Sequence, residues 1–247
     1  MARIKFMNTS IDNLTMDEAI EAIDGLVKKK KNSYVFTPNV DHIVRIEEDA
    51  EFRKAYNNAT LIFADGKPLI WISKLYKQPI KEKISGSDLF PKVCELASKK
   101  GYSVFLLGAK EGVADKAAEN IKRLYNSINI CGTYSPLFGF ENNDKEIAKI
   151  IRLVNEKKPD ILIVGVGTPK QEKFIYKYRN DLSVPVTFGF GAGIDFMAGN
   201  VKRAPKWVSN IGLEWFYRFL HEPKRLFKRY FVDDVRIILL VFKYLNK

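Results

Sequence analysis

The chain has 247 residues, of which 46% are hydrophobic and 28% charged, and its formal net charge is +12. These proportions exclude a disordered chain and fit one α/β domain of ordinary size, or a domain with an appendage. The excess of cations points to an anionic partner: nucleic acid, an anionic membrane or a phosphorylated substrate.

Taken in order, the chain opens with a strand or hairpin around Ile4–Ile11. Asp17–Lys30 then reads as a helix, because Met16, Ile20, Ile23 and Val27 recur at steps of three and four. Tyr34–Thr37 is a short strand stopped by Pro38, and helical segments follow as far as Asn58. Thr60–Phe63 is a strand closing on Ala64-Asp65-Gly66. Lys67–Tyr76 and Ser87–Lys100 are expected to be helical, with Ser87 as an N-cap. Ser103–Leu107 is a strand; the helix after it carries Val113, Ala117, Ile121 and Leu124 on one face. Ile128–Cys131 is a strand, and Gly132–Glu141 a loop rich in proline, glycine and aromatics. Asp144–Lys157 is a helix. The all-apolar Ile161–Val164 has the character of a strand buried on both faces. A helix from Lys170 to about Arg179 and a last strand, Val186–Phe190, complete the alternation.

Strands alternating with helices at this spacing imply βαβ units. The expected class is α/β, a Rossmann-like, mainly parallel sheet with helices on both faces and a basic, amphipathic helical appendage at the C-terminus. The boundary falls at 195/196, where strands cease: a core over 1–195 and an appendage over 196–247. From Lys202 onward there are eleven basic and four acidic residues. Phe227, Phe231, Val235, Ile238 and Phe242 follow helical spacing there, and Arg229, Arg236 and Lys243 repeat every seven residues beside them. Two readings stand for this tail: helices packed on the core with a solvated basic face, or a cationic surface for anionic lipid headgroups.

In an open α/β sheet, ligands bind beyond the carboxyl ends of the strands. Four polar or glycine-rich stretches follow strands directly: Thr37-Pro38-Asn39, Asp65-Gly66-Lys67, Gly165–Gln171 and Gly189–Asp195. With parallel strands, all four line one crevice. Asp65 is the carboxylate placed between a strand and a glycine, where it serves either as a general base or as a turn residue. Thr37 and Asn39 either bond a sugar or phosphate or cap their loop. Lys170 and Gln171 open a helix after a glycine-rich turn, a place that favours an anion. No Walker loop occurs, and no G-x-G-x-x-G follows the first strand, which counts against a nicotinamide-dependent oxidoreductase. There is no D-x-D pair to hold a metal-bound diphosphate. A leaving diphosphate would instead need cations, with Lys83, Lys170, Arg203 and the tail arginines as candidates. No metal cofactor is expected.

The two cysteines, Cys94 and Cys131, fit reduced core thiols better than a disulfide, and His42 and His221 give no metal-ligand spacing. The N-terminus lacks a signal-peptide layout, and Ile237–Phe242 is too short to span a bilayer. An intracellular protein, soluble or peripherally membrane-bound, is expected. A nucleic-acid module is disfavoured, because the tail cations share their helices with wide apolar faces.

TPNVDH, ADGKPLIW, ISGSDLF, GVGTPKQEKFI, FGFGAGIDFMAGNVKRAP and GLEWFYRFLHEPKR, in this order, resemble the WecG/TagA/CpsF family of bacterial glycosyltransferases. The resemblance implies an inverting transferase peripheral on the inner face of the cell membrane. It implies transfer of a sugar, N-acetylmannosamine in the best-known members, from UDP to an undecaprenyl-diphosphate-linked sugar such as GlcNAc. By motif, it implies Asp65 as catalytic base, with Thr37 and Asn39 beside it and Gln171 at the substrate. Gly191–Asp195 would meet the uridine and Phe140 the nucleotide, while Arg218 and Arg225 would close over the diphosphate. Lys83 stands where many members have arginine, keeping the charge without the bidentate fork. The DGKPLIW and SPLFGFE forms look closer to exopolysaccharide-type members, which brings UDP-glucose or another UDP-hexose into consideration. A homo-oligomer is left open.

Overall fold

The computed structural model describes residues 3–201, 204–205, 208 and 212–245, with the backbone alone at Arg218 and Arg225. Arg3–Phe6 (β1) and Thr9–Asp12 (β2) form an antiparallel hairpin. Asp12 fastens it to the main sheet, accepting from Arg3 at 2.7 and 2.9 Å and from the Ile62 N–H at 2.8 Å.

Six strands make the main sheet: Ser33–Phe36 (β3), Leu61–Ile62 (β4), Ser103–Gly108 (β5), Asn129–Tyr134 (β6), Ile161–Gly165 (β7) and Val186–Gly189 (β8). Their order is β4-β3-β8-β7-β5-β6, and every pairing is parallel. Alternate residues feed two separate cores. Val35, Leu106, Ile161, Ile163 and Phe188 meet Met16–Lys29 (α1), Gly86–Lys100 (α5), Val113–Leu124 (α6) and Gly193–Met197 (α9) on one face. Phe36, Leu107, Leu162 and Val164 meet Val40–Glu48 (α2), Ala50–Asn57 (α3), Lys67–Leu75 (α4), Asp144–Lys157 (α7) and Lys170–Tyr178 (α8) on the other. The expected α/β class with its parallel, doubly covered sheet is what the chain forms.

Local differences have local causes. The N-cap of α5 is Ser85, whose hydroxyl accepts from the Asp88 N–H, so the cap lies two residues before the expected Ser87 and the helix starts at Gly86. β6 runs on to Tyr134, because pairing with β5 continues past a register shift into the stretch expected to be loop. Leu124 ends α6 exposed, whereas Ala117 and Ile121 are buried.

The tail contains Glu214–His221 (α10), Pro223–Lys228 (α11), a π-helical turn at Arg229–Asp233, a 3-10 turn at Asp234–Arg236 and Ile237–Leu245 (α12). Its basic repeat stays partly solvated but is paired. Arg229 lies 3.5 Å from Asp41, Arg236 lies 2.5 Å from Glu48, and Lys243 pairs with Glu47, so the basic repeat docks along acidic α2. Phe227, Phe231, Val235, Ile238 and Phe242 are exposed as well. Ile237, Leu240, Val241 and Tyr244, at helical spacing, pack on the core instead.

Within this docking surface, Asp234 has a buried oxygen with no hydrogen-bond partner. Burial raises its carboxyl pKa from 3.8 to about 6; Asp41 and Asp233 push the same way, against Arg229 and His42. A carboxyl raised in the folded state contributes most below its unfolded value, and that contribution is lost as pH rises through the folded pKa. Asp234→Asn is therefore expected to raise Tm most above pH 6, with the gain shrinking toward pH 3.8. A pH-independent change in a thermal-melt series would contradict this.

Candidate active site

The strands β4, β3, β8 and β7 are consecutive neighbours, so the four stretches that follow them emerge side by side at one sheet edge. Hydrogen bonds stitch these loops together. The Asp65 N–H donates to the Pro38 carbonyl at 2.8 Å, joining the β4 and β3 loops. The Gly191 N–H donates to Gln171 Oε1 at 2.9 Å, joining the β8 and β7 loops. His42 joins β3 to β7: Nδ1 is 2.6 Å from Asn39 Oδ1, and Nε2 is 2.9 Å from Thr168 Oγ1.

Glycine permits this closeness. A Cβ on Gly165 would stand 2.8 Å from the Gly191 carbonyl oxygen, and one on Gly189 3.2 Å from Gln171 Nε2. Gly191 also takes φ 49°, in the left-handed region.

Asp65 is half-buried between Ala64 and Gly66, just before α4. Lys83 is mostly buried and bonds Asp88 at 2.8 Å. Burial works against its charge, but Asp88 outweighs it, and Asp65 and Glu214 add to the rise in its pKa. Gly212, just before α10, lies against Lys67 and Trp71 of α4, which brings the tail near this edge. Thr37 is buried under Gly86, where a Cβ would meet its hydroxyl at 3.1 Å.

Other expected site residues have structural partners. Gln171 is buried, holding Gly191 with its oxygen and donating to Glu172 Oε1 at 2.8 Å. Lys170 bonds Glu141 at 2.5 Å and lies 5.0 Å over the Phe138 ring. Phe140 is 4% exposed and packs edge-on against Phe174 at 5.7 Å, a core position rather than an open platform. The exposed aromatic of that loop is Phe138. Asp195 is half-buried in α9. Arg218 and Arg225 fall in α10 and α11, with side chains outside the described residues, as is all of Arg203.

Sequence reasoning missed two groups. Arg229, read only as part of the basic repeat, donates to Asn39 Oδ1 at 3.2 Å, and its Nε is buried without a hydrogen-bond partner. His42 and Glu172 lie 3.4 Å apart beneath the loops, and one oxygen of Glu172 is buried without a partner. A signal existed for the first, since Arg229 and Arg236 in the tail share the seven-residue spacing of Asp41 and Glu48 in α2. Among the described residues, no group of three His, Cys, Asp or Glu is placed to hold a metal ion.

Residues 4–247 match the model of the Glycosyl transferase WecG/TagA/CpsF family. An N-acetylglucosaminyldiphosphoundecaprenol N-acetyl-beta-D-mannosaminyltransferase of Bacillus subtilis (strain 168) is 33% identical over 199 residues, covering 81% of this chain and 75% of that protein. Its namesake in Staphylococcus aureus (strain MW2) is 29% identical over 227 residues, covering 91% of this chain and 87% of that one. With a family match over nearly its whole length, the chain belongs to the WecG/TagA/CpsF family of glycosyl transferases.

Proposed function

We propose that the protein transfers N-acetylmannosamine from UDP to GlcNAc carried on undecaprenyl diphosphate, with inversion and with Asp65 as general base. The observation that carries the reading is the convergence of four strand-end loops around a half-buried carboxylate, with Lys83 and Arg229 on the same side. The names of the relatives support the donor and acceptor. In the proposed step an acceptor hydroxyl oxygen forms a bond to the anomeric carbon and UDP leaves from the opposite face. The hydroxyl proton passes to Asp65. Lys83, Arg229 and, by family motif, Arg218 and Arg225 stabilise the departing diphosphate, with no metal required. UDP release from a panel of UDP-sugars, with a short-chain lipid-diphosphate-GlcNAc acceptor, tests this reading. Preference for UDP-N-acetylmannosamine, undiminished by a chelator, is expected; preference for UDP-glucose would replace the donor.

The apolar stripe Phe227, Phe231, Val235, Ile238, Leu239 and Phe242 supports peripheral membrane attachment through residues 196–247. No helix among the described residues is long and apolar enough to cross a membrane. The Leu239→Glu/Phe242→Glu double variant is expected to lose co-sedimentation with anionic liposomes while still binding UDP. Liposome binding equal to wild type would refute attachment through this stripe.

A further inference from the structure

The groups around Asn39 determine which end of its carboxamide is left for a ligand. Asn39 is the N-cap of α2, and three nitrogens surround its Oδ1. These are His42 Nδ1 at 2.6 Å, Arg229 Nη2 at 3.2 Å and the His42 backbone N at 3.4 Å. A guanidinium and a backbone N–H can only donate, so the atom they face is the oxygen. The amide turned the other way would set its NH2 against both. The imidazole nitrogen at 2.6 Å must then supply a proton, so Nδ1–H donates to Oδ1. The Asn39 backbone N–H, 3.4 Å from Nδ1, faces a nitrogen whose lone pair is already used and is not bonded to it.

Three donors thus occupy Oδ1. Among the described residues nothing accepts from Asn39 Nδ2, yet this atom is not one of the fully buried polar atoms without a partner. Its NH2 therefore reaches solvent.

The ring that sets this orientation cannot turn easily. His42 is buried, and Nε2 lies 2.9 Å from Thr168 Oγ1. Thr168 Oγ1 and Gln171 Nε2 both lie within bonding distance of Glu172 Oε1, at 3.0 and 2.8 Å. Phe52 and Tyr56 pack against the ring, with centroids at 6.0 and 6.2 Å.

We propose that His42 is a positioning residue that locks the Asn39 carboxamide, making Asn39 a hydrogen-bond donor to an oxygen of the sugar nucleotide. Should Arg229 turn to the diphosphate, His42 alone keeps the lock. The inference rests on the crevice being a sugar-nucleotide site, so UDP binding to the wild-type enzyme is measured first. Its absence would remove that reading rather than this one.

Two measurements then test the lock. In full-length protein with 15N-labelled histidine, the His42 resonance is expected to show Nδ1 protonated; an unprotonated Nδ1 overturns the proposal. Asn39→Asp keeps an acceptor for His42 and Arg229 but offers substrate no donor, and should lower kcat/KM between about tenfold and a hundredfold. A fall in UDP affinity places the bonded oxygen on the diphosphate, and a fall confined to the sugar donor places it on the sugar. Turnover equal to wild type overturns the proposal. His42→Phe fills the ring site without an Nδ1–H, and in that background Asn39→Asp should cost markedly less than in wild type. Additive losses would make His42 a packing residue only.

Discussion

With Asp65→Asn, sugar transfer is expected to fall by about 10²- to 10⁴-fold, the usual contribution of a general base, while UDP affinity is retained. Asparagine matches the aspartate in volume and keeps the backbone bond to Pro38, so the β3 and β4 loops stay joined. What disappears is the group proposed to take the acceptor proton. Lys83 also loses one of the carboxylates that raise its pKa, though its main partner Asp88 remains at 2.8 Å. UDP release in the presence of acceptor, set beside UDP titration of the same sample, separates the two effects. Near-wild-type turnover would remove Asp65 from the role of base.

Gly108→Ala is expected to damage the sheet edge itself. Gly108 ends β5 at φ 135°, a conformation alanine rarely adopts, and a Cβ there would lie 2.4 Å from the Gly165 carbonyl oxygen and 2.9 Å from its nitrogen. These are backbone atoms of the adjacent strand β7, with no rotamer to move. Strain at such a φ costs roughly 1–3 kcal/mol, and forced overpacking costs about as much again. For a domain of this size each kcal/mol lowers Tm by about 2–4 °C, so a drop on the order of 10 °C is expected. Because β7 leads into Thr168 and Gln171, transfer activity should fall as well. A melting curve identical to wild type would show that the β5–β7 contact is looser than its geometry indicates.

The tail shows how a correct pattern can leave orientation undecided. Period-seven cations and helically spaced aromatics are visible in the sequence, and the structure contains both stripes. Their facing depends on α2, nearly two hundred residues away in the chain. Asp41, Glu47 and Glu48 offer Arg229, Lys243 and Arg236 partners. Ile237, Leu240, Val241 and Tyr244 give the core-facing side enough apolar surface of its own. With those two faces docked, the large aromatics are left outside.

Phe140 and Gln171 teach the same lesson at the candidate site. Each lies in a motif at a strand end, but the motif does not reveal that Phe174 buries the one or that Gly191 and Glu172 engage the other.

The sequence by itself determined the alternation of elements, the parallel α/β class, the polar and glycine-rich loops that follow β3, β4, β7 and β8, and the family. All of these rest on local periodicity, on strand-end glycines and on motifs contiguous in the chain. Only the tertiary structure decided the strand order that makes β4, β3, β8 and β7 neighbours. It also brought Arg229 to Asn39 and made His42 the bridge from Asn39 to Thr168. Those outcomes depend on which distant groups meet when two apolar cores close on the faces of one sheet, and pairings 126 and 190 residues apart leave no local pattern to read.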